Sequence, residues 1–132
     1  MAAKILDASA VMVFLQDEPG ADDVRNLLLK AEEGGVKLAM SVVNLGEVWY
    51  AIARVKSPET ADSYIQQIRG MAIEIVDVDW PLARQAATYK AGEKISYADC
   101  FAAALAKARR GEVLTSDKEF KVLEGEIKIS WM

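Results

Sequence analysis

Four acidic residues have the types and positions that metal-assisted chemistry requires: Asp7, Glu47, Asp99 and Asp117. Two carboxylates about 4 Å apart repel each other by roughly 4 kcal/mol at an effective dielectric of ~20. If the four converge, they cannot all remain ionised without a cation. Oxygen-only ligands suit hard ions, so the set predicts a site for Mg²⁺ or Mn²⁺. Such a site would activate water and stabilise charge on a phosphoryl oxygen, which is metal-assisted phosphodiester hydrolysis.

The composition limits the other kinds of catalytic site. The 132-residue chain has no histidine and one cysteine, Cys100. Without histidine there is no Ser-His-Asp or Cys-His nucleophile and no His-ligated zinc, and one cysteine cannot build a Cys-rich metal site. We interpret Cys100 as a buried structural residue. An enzyme of this sequence therefore works with carboxylates, hydroxyls and amines.

The charge balance is acidic, with 20 Asp and Glu against 16 Lys and Arg. This balance disfavours nucleic-acid binding through bulk positive charge, although a bound divalent ion would supply the missing charge locally. The candidate phosphate contacts are Lys90, Lys94, Lys118, Arg54 and Arg84.

The length predicts one domain over residues 1–132. No apolar run reaches the ~18 residues that a membrane span needs, and the N-terminus does not have the pattern of a signal peptide. With its single cysteine, the chain is expected to be cytoplasmic.

Strands alternate with helices along the chain. Strands are predicted over 3–6, 36–41, 73–78, 112–115 and 127–132. Helices are predicted over 21–33, 42–55, 79–92 and 116–125. Three further helices are predicted to begin at 8, 57 and 96; the first ends in the turn before 20, and the last ends at about 110. Strands without a polar face indicate a mostly parallel sheet between helical layers.

Three of the four acids are predicted to lie at one edge of this sheet. Asp7 directly follows the first strand, Asp117 lies just past the fourth, and Glu47 is about two turns into the helix after the second. Ligands of open α/β sheets bind beyond the carboxyl ends of the strands. Asp99 lies in the first turn of its helix, where the sequence allows the same edge but does not require it.

Helix capping and solvent exposure are the competing interpretations. A capping residue accepts a hydrogen bond from a free N–H at the start of a helix. On this view Asp7 is an N-cap, Asp99 completes a capping box with Ser96, Asp117 is a first-turn acid beside a Ser116–Glu119 box, and Glu47 is a solvated surface residue.

Four motifs occur in a characteristic order: "KILDASA", "NLGEVWYAIAR", "SYADCFAAALAKARRG" and "VLTSDKEF". With this order and spacing the chain resembles PIN-domain ribonucleases, and more specifically the toxins of VapBC-type toxin–antitoxin pairs. The resemblance spans essentially the whole chain. It implies a three-layer α/β/α fold around a mostly parallel sheet of about five strands.

The resemblance also implies roles for individual residues. The family's acids correspond to Asp7, Glu47, Asp99 and Asp117 as ligands of Mg²⁺ or Mn²⁺, and its hydroxyl residues correspond to Ser9 and Thr115, which would position water or tune the acids. The implied activity is endoribonuclease cleavage of RNA by a metal-activated water. The implied partners are a cognate antitoxin and a second copy of the chain. Asn44 departs from the pattern, because a hydroxyl residue is more usual three residues before the glutamate.

Two other functions remain as alternatives. The first is a catalytically inactive PIN-like module that binds RNA or a protein partner. The second is an acid-based phosphotransfer protein, such as a receiver domain or a haloacid-dehalogenase-like phosphatase. The second class needs a further acid close to Asp7, and the segment "DASA" has none.

Overall fold

Five strands form the central sheet. The computed structural model describes residues 3–132, so Met1 and Ala2 of the predicted 1–132 domain lie outside the described residues. The strands are β1 (Ala3–Leu6), β2 (Lys37–Ser41), β3 (Ile73–Val76), β4 (Glu112–Thr115) and β5 (Lys128–Trp131). Every neighbouring pair is parallel, and the strand order is β3-β2-β1-β4-β5. The predicted parallel α/β/α architecture is confirmed.

Helices connect consecutive strands. They are α1 (Ala8–Leu15), α2 (Ala21–Glu32), α3 (Val42–Val55), α4 (Pro58–Arg69), α5 (Trp80–Gly92) and α6 (Tyr97–Ala108). The predicted helix over 116–125 is a shorter 3-10 helix, Lys118–Leu123. The predicted third strand over 73–78 ends at Val76. None of the helices in residues 3–132 is long and apolar enough to cross a membrane.

The sheet is buried on both faces, as the apolar strands predicted. Ile5 is aligned with Ala39 on one neighbour and Val113 on the other, and all three belong to the core beneath α5 and α6. The next residue along β1, Leu6, points the opposite way and belongs to the core beneath α1–α4. Alternation of side chains along each strand therefore divides the apolar residues between two cores.

The connections reverse direction between β1 and β4. From β1 the chain moves outward to β2 and β3, and it then crosses back to place β4 on the other side of β1. Helices that leave two neighbouring strands in opposite directions open a crevice at the carboxyl ends of those strands. In this chain β1 is followed by Asp7, and β4 ends at Thr115 and is followed by Ser116 and Asp117, so the topology itself places these residues together.

One glycine is required by the packing of β1 against the turn before β4. A Cβ built on Gly111 would lie 2.0 Å from the carbonyl oxygen of Ala3, which is backbone and cannot move aside without shifting β1. We expect Gly111→Ala to lower the free energy of unfolding by about 3 kcal/mol or more in urea titration. Gly92→Ala is the control, because a Cβ there meets no atom of the described chain within 4 Å. Equal stability of the two variants would contradict this account.

One apolar residue of α3 lies outside the core. Val55 continues the apolar face of Leu45, Val48 and Ile52, yet it is 83% exposed. It is the last residue of α3, nearly a turn beyond Ile52, the final buried position of that helix. Periodicity defined the face of the helix but not the point at which the helix leaves the core.

Candidate metal centre

Asp7 lies at the carboxyl end of β1 and is almost fully buried. Its Oδ1 accepts hydrogen bonds from the Ser9 hydroxyl at 2.7 Å and from the backbone N–H of Ala10 at 2.9 Å. Its Oδ2 accepts one from the Thr115 hydroxyl at 2.5 Å. The N-cap interpretation is therefore correct for Asp7, but capping uses only one oxygen and leaves acceptor capacity on the carboxylate.

Ser9 and Thr115 connect the ends of β1 and β4. Besides binding Asp7, the Ser9 oxygen accepts the N–H of Ser116 at 3.1 Å, and the Thr115 oxygen accepts the N–H of Asp117 at 2.9 Å. The two hydroxyl oxygens lie 3.2 Å apart. Each hydroxyl has one proton and each donates it to Asp7, so this contact is not an additional hydrogen bond. The pair instead holds the backbone before Asp117 against Asp7.

Asp99 lies in the first turn of α6 and is 5% exposed. Ser96 caps the helix by accepting the backbone N–H of Asp99 at 3.2 Å, so the capping prediction is correct for the serine. The Asp99 side chain has a different environment, because its Oδ2 is buried without a hydrogen-bond partner among residues 3–132. Ala102, Ala103 and Ala106 are all fully buried on α6. Because their side chains are small, α6 packs closely against its neighbours here.

Glu47 is half-buried on α3, and the interpretation as a freely solvated residue is wrong. Its Oε1 accepts a hydrogen bond from the side-chain amide of Asn44 at 2.9 Å. The same amide donates to the backbone carbonyl of Ala98 at 3.1 Å, in the first turn of α6. The residue that departed from the family pattern is therefore in direct contact with one of the four acids.

Asp117 caps the 3-10 helix, with Oδ1 accepting the N–H of Glu119 at 2.9 Å. The predicted Ser116–Glu119 capping box is wrong, because the helix starts one residue later than the box requires. Asp99, Asp117 and Glu119 each offer a carboxylate oxygen, and these oxygens lie within 4.8 Å of one another. The sequence predicts only a capping role for Glu119. No pattern in the sequence indicated otherwise, because Glu119 joins the acids only through the 3-10 helix that begins at Lys118.

The acids also affect one another's ionisation. Burial, followed by contact with Asp117, raises the pKa of Asp99 to about 8. Burial raises the pKa of Asp7, to which the charge of Asp117 adds, although the hydrogen bonds from Thr115, Ala10 and Ser9 oppose the shift. Burial raises the pKa of Glu47, and the charges of Asp7 and Asp117 act in the same direction. The four predicted residues therefore act on one another as a single electrostatic cluster.

The donor set fits a hard divalent cation. Such ions prefer carboxylate oxygens. A buried carboxylate oxygen without a hydrogen-bond partner is rare in folded proteins and needs an explanation, which a cation provides for Asp99 Oδ2. The raised pKa values have the same implication, because a positive ion among the acids would favour their ionised forms and lower those values. Asp99, Asp117 and Glu119 have carboxylate oxygens close enough to share one ion. Asp7 and Glu47 lie outside this trio and influence it through their charges.

Two of the five candidate phosphate contacts are already engaged elsewhere. The Lys90 ammonium donates to the carbonyl of Ile95 at 2.8 Å, and the Arg54 guanidinium lies 4.9 Å from the centre of the Tyr50 ring. Lys118 is exposed within the segment that carries Asp117 and Glu119, so it remains the candidate nearest to the acids in sequence.

Glu119 is expected to tune the cluster without being essential to it. We expect Glu119→Gln to weaken Mn²⁺ binding by roughly 3- to 10-fold in calorimetric titration, because one exposed carboxylate is lost while the buried acids remain. Glu124→Gln is the control, since Glu124 lies at the other end of the 3-10 helix. Unchanged binding by Glu119→Gln would remove this residue from the site.

Comparison with known proteins identifies the family. The family model of the PIN domain matches residues 4–126. The chain belongs to the PIN domain family. The predicted family is therefore confirmed, and the match includes all four predicted acids of this PIN domain. A search of curated proteins finds no match.

Solved structures with the same fold include VapBC proteins and a VapC toxin. VapBC2 from Rickettsia felis, bound to a DNA fragment from its promoter, is 20% identical with a TM-score of 0.77, and the alignment covers 98% of each chain. DNA-bound VapBC from Salmonella typhimurium is 20% identical with a TM-score of 0.75, again over 98% of each chain. The VapC20 toxin of Mycobacterium tuberculosis, which cleaves the sarcin–ricin loop, is 16% identical with a TM-score of 0.71, over 95% of this PIN domain and 96% of that chain.

Proposed function

We propose that this PIN domain is a Mg²⁺- or Mn²⁺-dependent endoribonuclease that acts as the toxin of a type II toxin–antitoxin pair. The observation that carries the proposal is Asp99 Oδ2, which is buried without a hydrogen-bond partner in the described part of the chain and lies beside Asp117 and Glu119. A helix cap or a protein-binding scaffold does not require a desolvated carboxylate in such a cluster, whereas a cation site does.

The proposed roles follow from the hydrogen bonds of each residue. Asp7, Glu47, Asp99 and Asp117 would hold the cation, which when bound supplies an activated water and a positive charge against a phosphoryl oxygen. Ser9 and Thr115 would keep Asp7 in one orientation, since both donate to its carboxylate. Glu119 and Lys118 would lie at the exposed side, where the RNA backbone enters.

The biological setting is part of the same proposal. Solved relatives described as VapBC complexes align over almost the whole chain, and this supports a cognate antitoxin as the partner. The proposal further includes RNA as the substrate, a homodimer as the assembly and the cytoplasm as the location. A small neighbouring gene encoding a DNA-binding protein would support the toxin assignment independently of any enzymology.

Cleavage of a structured RNA by the purified protein tests the activity. With Mg²⁺ we expect cleavage that a chelator abolishes, and a loss of at least ~10²-fold in Asp7→Asn, because the variant removes one anionic ligand of the cation. Asp79→Asn is a matched control: Asp79 is also an N-cap aspartate, accepting the N–H of Leu82 at 3.0 Å, but it caps α5. Full cleavage by Asp7→Asn would contradict the proposal. RNA binding without cleavage by the unmodified protein would favour the inactive module.

A further inference from the structure

Asn44 connects two acid-bearing helices through one amide group. It is fully buried on α3, and its Nδ2 donates both to Glu47 Oε1 and to the carbonyl of Ala98, the residue before Asp99. We propose that Asn44 is a positioning residue that sets the location of Glu47 relative to Asp99 and thereby the affinity of the site for its cation. This inference rests on the proposed function and deepens it.

The orientation of the amide is determined by its neighbours. Both groups that contact Nδ2 are acceptors, a carboxylate and a carbonyl, so only the NH₂ side of the amide can face them. Its two protons are just sufficient for these two bonds. The other side, Oδ1, is left buried without a hydrogen-bond partner in the described part of the chain. An unpaired buried acceptor is costly, and the two Nδ2 bonds, one of them to a carboxylate, are the interactions that offset this cost.

The two bonds have distinct consequences. A half-buried glutamate has three side-chain torsions, and the bond to Oε1 restricts them while leaving Oε2 free for a ligand. The bond to the Ala98 carbonyl fixes the first turn of α6 against α3, and Asp99 is the next residue in that turn. Ligands held in place by supporting hydrogen bonds bind metal more tightly than free ones, because less ordering is needed on binding.

Mn²⁺ affinity measured by calorimetry tests the inference. We expect Asn44→Ala to weaken binding by roughly 10- to 100-fold, the range seen when a supporting hydrogen bond to a metal ligand is removed. Asn44→Thr retains one hydroxyl donor in a similar volume, so it should recover part of the loss. Asn26→Ala is the control, because Asn26 is an exposed asparagine on α2. If the alanine variant does not fold, the threonine variant alone is compared with the control.

A kinetic comparison separates positioning from general destabilisation. At saturating Mn²⁺, Asn44→Ala should lower kcat for RNA cleavage, because Glu47 and the first turn of α6 are no longer held in place. KM should change less than about 3-fold, because the Asn44 side chain is buried and does not contact RNA. Mn²⁺ affinity in both Asn44 variants equal to that of the unmodified protein would overturn the inference and leave the proposed function intact. Failure of the unmodified protein to bind Mn²⁺ would instead overturn the proposed function, and the inference with it.

Discussion

Asp99→Asn is expected to reduce RNA cleavage by roughly 10³-fold and, at the same time, to stabilise the metal-free protein. A loss of ~10³-fold corresponds to about 4 kcal/mol of transition-state stabilisation, the scale on which metal ions act. The stability gain has a separate cause. Burial and the adjoining Asp117 raise the pKa of Asp99 to about 8. Ionised Asp99 therefore destabilises the folded state, whereas the neutral amide of asparagine does not carry this penalty.

Two measurements on the same variant test this pair of effects. Cleavage is followed with saturating Mg²⁺, and the free energy of unfolding is measured in urea with a chelator at about pH 8. We expect the variant to unfold at higher urea, by at least about 1 kcal/mol. Asp23→Asn, an exposed aspartate on α2, is the control and should change neither quantity. A variant that loses both activity and stability would indicate that Asp99 has a structural role instead.

The metal-free protein is expected to become less stable as the pH rises from about 5 to about 8. In this range folded Asp99 keeps a proton that unfolded Asp99, with a pKa near 4, has already released. The folded state therefore binds more protons, and the free energy of unfolding falls as the pH rises. The raised pKa values of Asp7 and Glu47 act in the same direction.

Thermal unfolding across this pH range, with and without Mn²⁺, provides the measurement. One retained proton gives a slope of at most about 1.4 kcal/mol per pH unit. Mn²⁺ should remove most of the decline, because the cation competes with the proton for the same carboxylates. Asp99→Asn should show a clearly smaller slope than the unmodified protein. Stability that rises toward pH 8 in the presence of a chelator would contradict the assigned coupling of the acids.

Local sequence was sufficient to predict the position of two of the acids in the candidate site. Asp7 and Asp117 were placed at one edge because each follows a strand, and parallel strands end at the same edge. Capping, offered as the competing interpretation, proved compatible with the site: Asp7 uses Oδ1 to cap α1 and keeps Oδ2 for Thr115. A carboxylate has two oxygens and about four acceptor positions, so the two roles do not exclude each other.

Three features of the site required the tertiary structure. Glu119 joins Asp99 and Asp117 only because the segment after β4 forms a 3-10 helix that starts at Lys118. Asn44 reaches Ala98, 54 residues away in sequence, only because α3 packs against α6. The burial of Asp99 depends on the same packing. None of these contacts leaves a periodic or local pattern, because each joins segments whose approach is decided by other parts of the chain.

The amino-acid sequence by itself determined the types of element, their order and the chemistry available to the site. Apolar periodicity, caps and terminal glycines act within a few residues, and the absence of histidine requires no structure to interpret. The tertiary structure alone decided that β4 lies beside β1 and that the chain reverses direction there. That adjacency depends on how helices on both faces of the sheet pack together, and this non-local packing is what gathers the separated carboxylates into one cluster.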